Sequence, residues 1–392
     1  MPRRTRATRR ALWIGAVTVG LLGASACADR ETASAPTTTE PTTTGFPGAE
    51  WESTDPATAG FDPAALDAIA AAAQAAGSSC FLVQRSGKIV IEQYGNGTTS
   101  ESTQEVFSAS KSVTSTLAGI AHTDGDLDVT DPASDYITDW KGTSSESVTV
   151  EQLLSNDSGR EHGRRTDYVE MAAKADDKTA YSIALTQTDP PGAVWAYNNA
   201  AIQTLEAVLS TSTGRDVAEF ADDRLFDPIG MSRTSIAKDR SGNPLTFMGT
   251  QSNCRDLARF GVLMLHEGDW DGTRILDAEW VRQATGRSSQ DLNSAYGWLW
   301  WLNRPGTVLG ANQASGDSPA DAGADGSADQ LVPGAPDDMY WALGFANQVV
   351  AIDPGSDTVV VRLGPASTPE GTPEFGPQAT ARVVTEALLR DG

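Results

Sequence analysis

The chain has 392 residues, 39% of them hydrophobic and 21% charged, the profile of an ordinary folded protein rather than a collagenous or wholly disordered one. It holds 52 Asp+Glu against 29 Lys+Arg, a formal net charge of −23, so its surface repels phosphate backbones and speaks against nucleic acid as a partner. Three His and three Cys, no two of the six within five residues of each other, argue against the common zinc signatures and an HExxH helix. The composition points to chemistry done without a metal, without a cofactor and without a catalytic His.

Five Arg, from Arg3 to Arg10, precede an uncharged stretch from Ala11 to Ala26, too short to span a bilayer comfortably. A basic start, a short apolar core and small residues at its end predict an export signal over 1–26. Thr8-Arg9-Arg10-Ala11-Leu12 also permits a twin-arginine route. Ala24-Ser25-Ala26-Cys27 resembles a bacterial lipobox, with Ala24 where Leu is usual. Cys27 is therefore the expected lipid anchor, plain secretion after cleavage near Ala26 being the alternative. Residues 30–48, with seven Thr and three Pro, read as an extended tether within a linker over 27–48, ahead of a globular part over 49–392. Removal of 1–26 takes away five positive charges and leaves the mature chain near −28. In an oxidising compartment Cys80 and Cys254 either pair or stay as two buried free thiols.

An Ala-rich helix is expected from Asp62 to Ala76, then strands Cys80–Gln84 and Lys88–Glu92 around the turn signal Ser86-Gly87. Helical patterns dominate from Ser108 to about Glu267, with loops such as Asp157–Asp167 between them. Asn347–Asp353 and Thr358–Leu363 read as strands joined by Pro354-Gly355-Ser356-Asp357, and a closing helix runs from about Gln378 to Leu389. Strands at both ends and helices between predict one α/β (α+β) domain with a sheet built from both termini and an inserted helical region. Pro305–Asp338, with six Gly, four Pro, six Asp and no Lys or Arg, reads as a long mobile loop, either a solvated insertion or a lid.

No G-x-S-x-G elbow occurs, and a Ser nucleophile can instead be served by a Lys amine. Ser108-Ala109-Ser110-Lys111 opens a segment with Val113, Leu117 and Ile120 at helical spacing. Ser108 and Lys111 then share a face, the Ser108 amide at the helix start can face an oxyanion, and burial would lower the Lys111 pKa. The bland alternative is a helix cap beside a solvated Lys. Ser235-Ile236-Ala237-Lys238 repeats the pattern in a turn-rich stretch and is expected to be a decoy. Tyr197-Asn198-Asn199 places a phenol and an amide on one side of an extended segment, whereas Asn199 as a helix cap over a packed Tyr197 is the alternative. An ammonium beside Tyr197 should ease loss of the phenol proton. Tyr94-Gly95-Asn96 matches too, at a hairpin end.

Ser108-x-x-Lys111, Leu153-Leu154-Ser155-Asn156-Asp157-Ser158-Gly159, Tyr197-x-Asn199 and Asp256-Leu257-Ala258-Arg259-Phe260-Gly261, in this order, resemble the serine β-lactamase and penicillin-binding superfamily. The likeness is to its class C-like branch, which includes esterases, D-amino-acid peptidases and 6-aminohexanoate-dimer hydrolases, and it covers about residues 55–390. It implies a β-lactamase/transpeptidase-like fold, Ser108 as acylated nucleophile, Lys111 as base, Tyr197 as proton relay and Asn199 lining the site. The family's K-T-G is absent. Trp341-Ala342-Leu343-Gly344-Phe345 stands in its place, with Gly344 for close approach and the Phe345 amide as second oxyanion donor. Ala342 in place of the Lys that binds substrate carboxylates favours neutral ester or amide substrates. The rival readings are a D,D-carboxypeptidase or β-lactamase acting on peptidoglycan peptides or penicillins, and a non-catalytic envelope binding protein. Within Tyr296–Trp301, core packing is the default, with Trp298 or Trp300 as candidate walls of an acyl pocket.

Overall fold

The computed structural model describes residues 45–311 and 329–389. The predicted signal, Cys27 and most of the linker lie outside the described residues.

Asp62 caps the first helix, α1 (Pro63–Ala75), by accepting from the Ala64 and Ala65 amides, which is why an Asp-Pro pair starts it. The sheet strands follow the apolar runs: β1 (Cys80–Arg85), β2 (Lys88–Tyr94) and three late strands described below. Between them stand the short β3 (Gln104–Glu105), β4 (Ser235–Ile236), β5 (Thr250–Ser252), β6 (Asp269–Trp270), β7 (Thr273–Arg274) and β8 (Trp301–Leu302). The late strands are β9 (Tyr340–Gly344), β10 (Gln348–Asp353) and β11 (Thr358–Leu363). The main sheet is antiparallel in the order β2-β1-β11-β10-β9-β8, so the two chain ends do build one sheet. A second small sheet, β3-β5-β4, lies beside the Ser108 segment.

The inserted region carries α2 (Ser110–Asp124), α3 (Val150–Leu154), α4 (Lys178–Ala184), α5 (Asn199–Gln203), α6 (Leu205–Thr213), α7 (Val217–Ala221), α8 (Cys254–Leu265) and α9 (Ala278–Gly286). Helix α10 (Pro377–Arg382) continues into wider π-type turns over Val383–Ala387, so the closing helix is shorter and less regular than its apolar pattern predicts. Successive β1 residues reach opposite sides: the Cys80 sulfur is bonded to that of Cys254 in α8, and the Phe81 ring meets Phe375 ahead of α10. The sheet is thus covered on both faces, and β10 and β11 are buried along their whole length.

Two expectations change. Gly45–Gly48 belong to the packed domain rather than to an extended tether: the Phe46 ring lies 4.1 Å from that of His266, and Arg259 donates to the Gly48 carbonyl at 2.6 Å. The described ends of the Gly/Asp-rich stretch are also packed. Asn303 Nδ2 donates to the Val332, Ala335 and Pro336 carbonyls, and Val308 and Val332 are buried. The middle of that stretch lies outside the described residues.

Candidate active site

The chain leaves β3 through Val106, whose amide donates to the Thr250 carbonyl, and turns sharply at Phe107, where φ is +47°. A left-handed conformation at a bulky residue costs of order 1–3 kcal/mol and marks a site held by its surroundings. Ser108 follows in a short 3₁₀ turn, Phe107–Ala109, just ahead of α2 rather than in the helix itself. Lys111 sits one turn further on, and its Nζ lies 2.9 Å from Ser108 Oγ and donates to the Phe247 carbonyl at 2.7 Å. Lys111 is 1% exposed. Burial pulls its pKa down from the usual Lys value to about 7, against the opposing charge of Asp167. An amine that is half neutral at pH 7, with one N–H fixed on Phe247, can turn its lone pair to the Ser108 hydroxyl.

The polarity of α2 explains how Lys111 is held. The helix is buried on every side from Ser110 to Ala121, not on one apolar stripe. Three of its hydroxyls meet neighbouring backbone: Thr114 donates to the Thr246 carbonyl, Ser110 accepts from the Thr250 amide, and Ser112 donates to the Leu299 carbonyl. The Thr114 and Ser110 contacts, together with the Lys111–Phe247 bond, zip the 246–250 segment along one side of the helix.

Tyr197 completes the cluster. Lys111 Nζ stands 4.8 Å from its ring centre, and the Ser108 side chain acts on its hydroxyl. Burial keeps its hydroxyl protonated far above the ordinary phenol range, opposed only in part by Ser108. The expectation of an eased deprotonation is thus corrected: desolvation dominates, and Tyr197 is a neutral donor and acceptor at pH 7. The helix-cap alternative falls on Asn198, whose Oδ1 accepts from Ala201 N while its Nδ2 donates to the Arg160 and Glu161 carbonyls. Asn199 is buried, with its Oδ1 unpartnered among the described residues.

On the other side of Ser108, β8 pairs with Tyr340 and Trp341, and β9 runs on past it through Gly344 toward the Phe107–Ala109 turn. A Cβ on Gly344 would stand 2.1 Å from the Val106 carbonyl oxygen, so only Gly permits this approach. The turn after it, with left-handed Ala346 and Asn347, is bolted down by Arg362, which donates to both carbonyls at 2.8 and 2.9 Å. Gln348 adds bonds to the Phe345 and Ala346 carbonyls. The Phe345 ring is exposed and meets Phe107 edge-on at 5.7 Å.

The structure separates motif from decoy. Ser235 lies in β4 and Lys238 pairs with Asp216 at the surface; Tyr94 bonds Glu92 and Asn96 bonds the Gly77 carbonyl. The other two family-like segments are scaffolding. Asn156 gives its carbonyl to Ala196 N beside Tyr197, and Asp256 accepts from Arg233 N and Thr234 Oγ1. Trp298 and Trp300 do not wall a pocket at Ser108: Trp298 packs on Trp280, and Trp300 stacks on Phe260. It is Trp301 that stacks on Tyr197, at 5.8 Å and 25°, with Tyr296 edge-on to both. Asp167, expected in a loop, lies in a π-type helical turn, Arg165–Lys174, and neither it nor the Phe247 carbonyl belongs to a sequence motif. Trp301 reaches Tyr197 through the β8–β9 pairing, which no sequence pattern marks.

The Beta-lactamase family model matches residues 64–384. The chain is 23% identical over 323 residues to a 6-aminohexanoate-dimer hydrolase of Paenarthrobacter ureafaciens, covering 75% of this chain and 74% of that one. Its fold is similar to a family VIII carboxylesterase (TM-score 0.61, 17% identity, 86% and 98% of the two chains). It is similar also to a D-alanine carboxypeptidase of Burkholderia cenocepacia (TM-score 0.53, 20% identity, 81% and 99%). With the matched stretch spanning most of its length, the chain belongs to the β-lactamase family of serine hydrolases.

Proposed function

We propose that this chain is an exported hydrolase that cleaves neutral ester or amide bonds through a Ser108 acyl-enzyme. The observation that carries the reading is the 2.9 Å contact between Ser108 Oγ and the buried Lys111 amine. Ser108 Oγ attacks the carbonyl carbon while its proton passes to Lys111 Nζ. The tetrahedral oxyanion is received by the Ser108 and Phe345 amides. Its collapse expels the leaving group, which takes that proton through the Tyr197 hydroxyl. Water then adds to the acyl carbon by the same route in reverse, and Ser108 regains its proton as the acid departs. Ala342 on β9 supplies no cation for a substrate carboxylate, which supports neutral substrates over penicillins and D-Ala peptides. We further propose that cleavage before Cys27 and its lipidation tether the domain to the outer face of the cytoplasmic membrane.

The test is intact mass after treatment of residues 45–392 with a fluorophosphonate and, separately, with a penicillin. One fluorophosphonate adduct, absent in Ser108→Ala, and little penicillin adduct are expected. An adduct that survives the substitution would remove Ser108 from its role, and fast penicillin acylation would move the substrate class to β-lactams.

A further inference from the structure

Asp167 is buried yet belongs to none of the family-like segments. It is 2% exposed and sits in the π-type turn, a geometry frequent at functional sites. Its Oδ2 accepts from the Asn199 amide at 3.1 Å, while its Oδ1 is buried and unpartnered among the described residues. The start of α5, two residues after Tyr197, is thereby fastened to the turn. The carboxylate has no ion pair among the described residues, and Lys111 is the cation whose charge acts on it. The other ionisable groups facing this pair are Glu161, Tyr168, Tyr181 and, on the Ser108 side, Tyr197.

We propose that Asp167 is a positioning residue for the Lys111 base: its carboxylate holds the start of α5, and with it Tyr197 and Asn199, while its charge sets the pH at which Lys111 gives up its proton. A buried carboxylate stabilises a nearby ammonium, and a buried ammonium stabilises a nearby carboxylate. The two therefore titrate as a pair, in two linked steps. Both are perturbed toward neutrality by burial, to about 7 each, so the pair changes charge across the range where the enzyme would work. The proposal rests on Lys111 serving Ser108, as in the function proposed above.

The experiment is the pH dependence of fluorophosphonate inactivation, read as a second-order rate for the wild type, Asp167→Asn, Asp167→Glu and Asp167→Ala. Asp167→Asn keeps an acceptor for the Asn199 amide and removes the charge, so Lys111 should lose its proton earlier and the acid limb should move down by about one pH unit. Asp167→Glu should restore the wild-type limb. Asp167→Ala should show the same shift and, with the α5 clamp gone, a plateau lowered about tenfold. An Asp167→Asn enzyme with native circular dichroism and an unmoved acid limb would overturn the proposal. Should that variant not fold, the ¹⁵Nζ shift of Lys111 in the wild type decides: a two-step titration supports the pair, and a single step overturns it. A wild type that takes no label on Ser108 would instead defeat the proposed function, and the Nζ titration would still read the pair.

Discussion

Ser108/Lys111 and Ser235/Lys238 carry the same four-residue spacing and share no chemistry. In the first, a 3₁₀ turn runs into a helix, bringing the amine within 2.9 Å of the hydroxyl with almost no solvent. In the second, the Ser lies in a strand and the Lys reaches away to Asp216, with 41% of its side chain exposed. What differs is the surroundings: the first Lys is desolvated and held by a carbonyl, the second is solvated and paired. A spacing motif is therefore only a statement about reach, and burial converts reach into reactivity.

The largest expected effect separates the two copies outright. Ser108→Ala should lower ester turnover on the order of 10⁴-fold or more, and Lys111→Met should come close to it, because members of such a unit fail together. Ser235→Ala and Lys238→Met should leave turnover unchanged. Chromogenic ester kinetics with purified variants measures all four, and equal losses at both copies would erase the distinction. The same contrast has a pH signature. Since Lys111 must be neutral to accept a proton, kcat/KM should fall as pH drops through about 7, and Lys238→Met should not move that limb.

A second test concerns the wall facing Ser108. Gly344→Ala forces a methyl group toward the Val106 carbonyl, so β9 or the nucleophile turn has to shift. Displacing one oxyanion donor costs about 10²-fold in kcat, with little change in KM. A Gly344→Ala enzyme of wild-type kcat would show that the Phe345 amide does not serve the oxyanion.

Stability should distinguish the two lysines as well. Lys111 has a pKa near 7 when folded and 10.5 as its ordinary value, so the unfolded chain binds the extra proton between those limits and stability rises with pH across them. Asp167 acts in a different window: raised from 3.8 to about 7, it lowers stability as pH climbs to 7 and is silent above. Between pH 7 and 9 the wild type should therefore gain about 2 kcal/mol, read from urea midpoints. Lys238→Met should keep that slope and Lys111→Met should lose most of it.

Much of this was legible in the chain, for reasons that also mark the limits. Thr358–Leu363 reads correctly as β11 because a run rich in β-branched residues is buried on both faces and needs no tertiary information. Its neighbour starts at Gln348 rather than Asn347, since Asn347 is left-handed to serve the turn that Arg362 holds. The Ser108, Lys111, Tyr197 and Gly344 segments announce themselves by spacing and by order. Asp167 does not, because its meaning comes from a backbone amide and a Lys that only tertiary folding brings to it. The ends of Pro305–Asp338 depart from the loop expected there for a related reason. Composition registers the Gly, Pro and Asp but not the single Asn303 whose amide gathers three carbonyls there.

The smallest expected effect rests on two adjacent tryptophans, a second pair alike in sequence and unlike in place. Trp300 is wholly buried between Phe260 and Tyr340, whereas Trp301 stacks on Tyr197 and pairs across β8 with Trp341. Trp301→Leu keeps an apolar, buried side chain but removes the flat surface that fixes the phenol ring over Lys111. Tyr197 then samples more than one ring orientation, and its hydroxyl leaves the line between Ser108 and the departing group for part of the time. A loss of about tenfold in kcat with KM nearly unchanged is expected, as for a misplaced rather than missing proton relay. Trp300→Leu instead opens a cavity away from the site, lowering stability by about 3 kcal/mol while folded enzyme keeps its kcat. Active-site titration with fluorophosphonate, which counts folded enzyme, corrects both turnover numbers. A Trp301→Leu enzyme that loses stability and retains full kcat would reduce this residue to core packing and leave Tyr197 oriented by Ser108 and Lys111 alone.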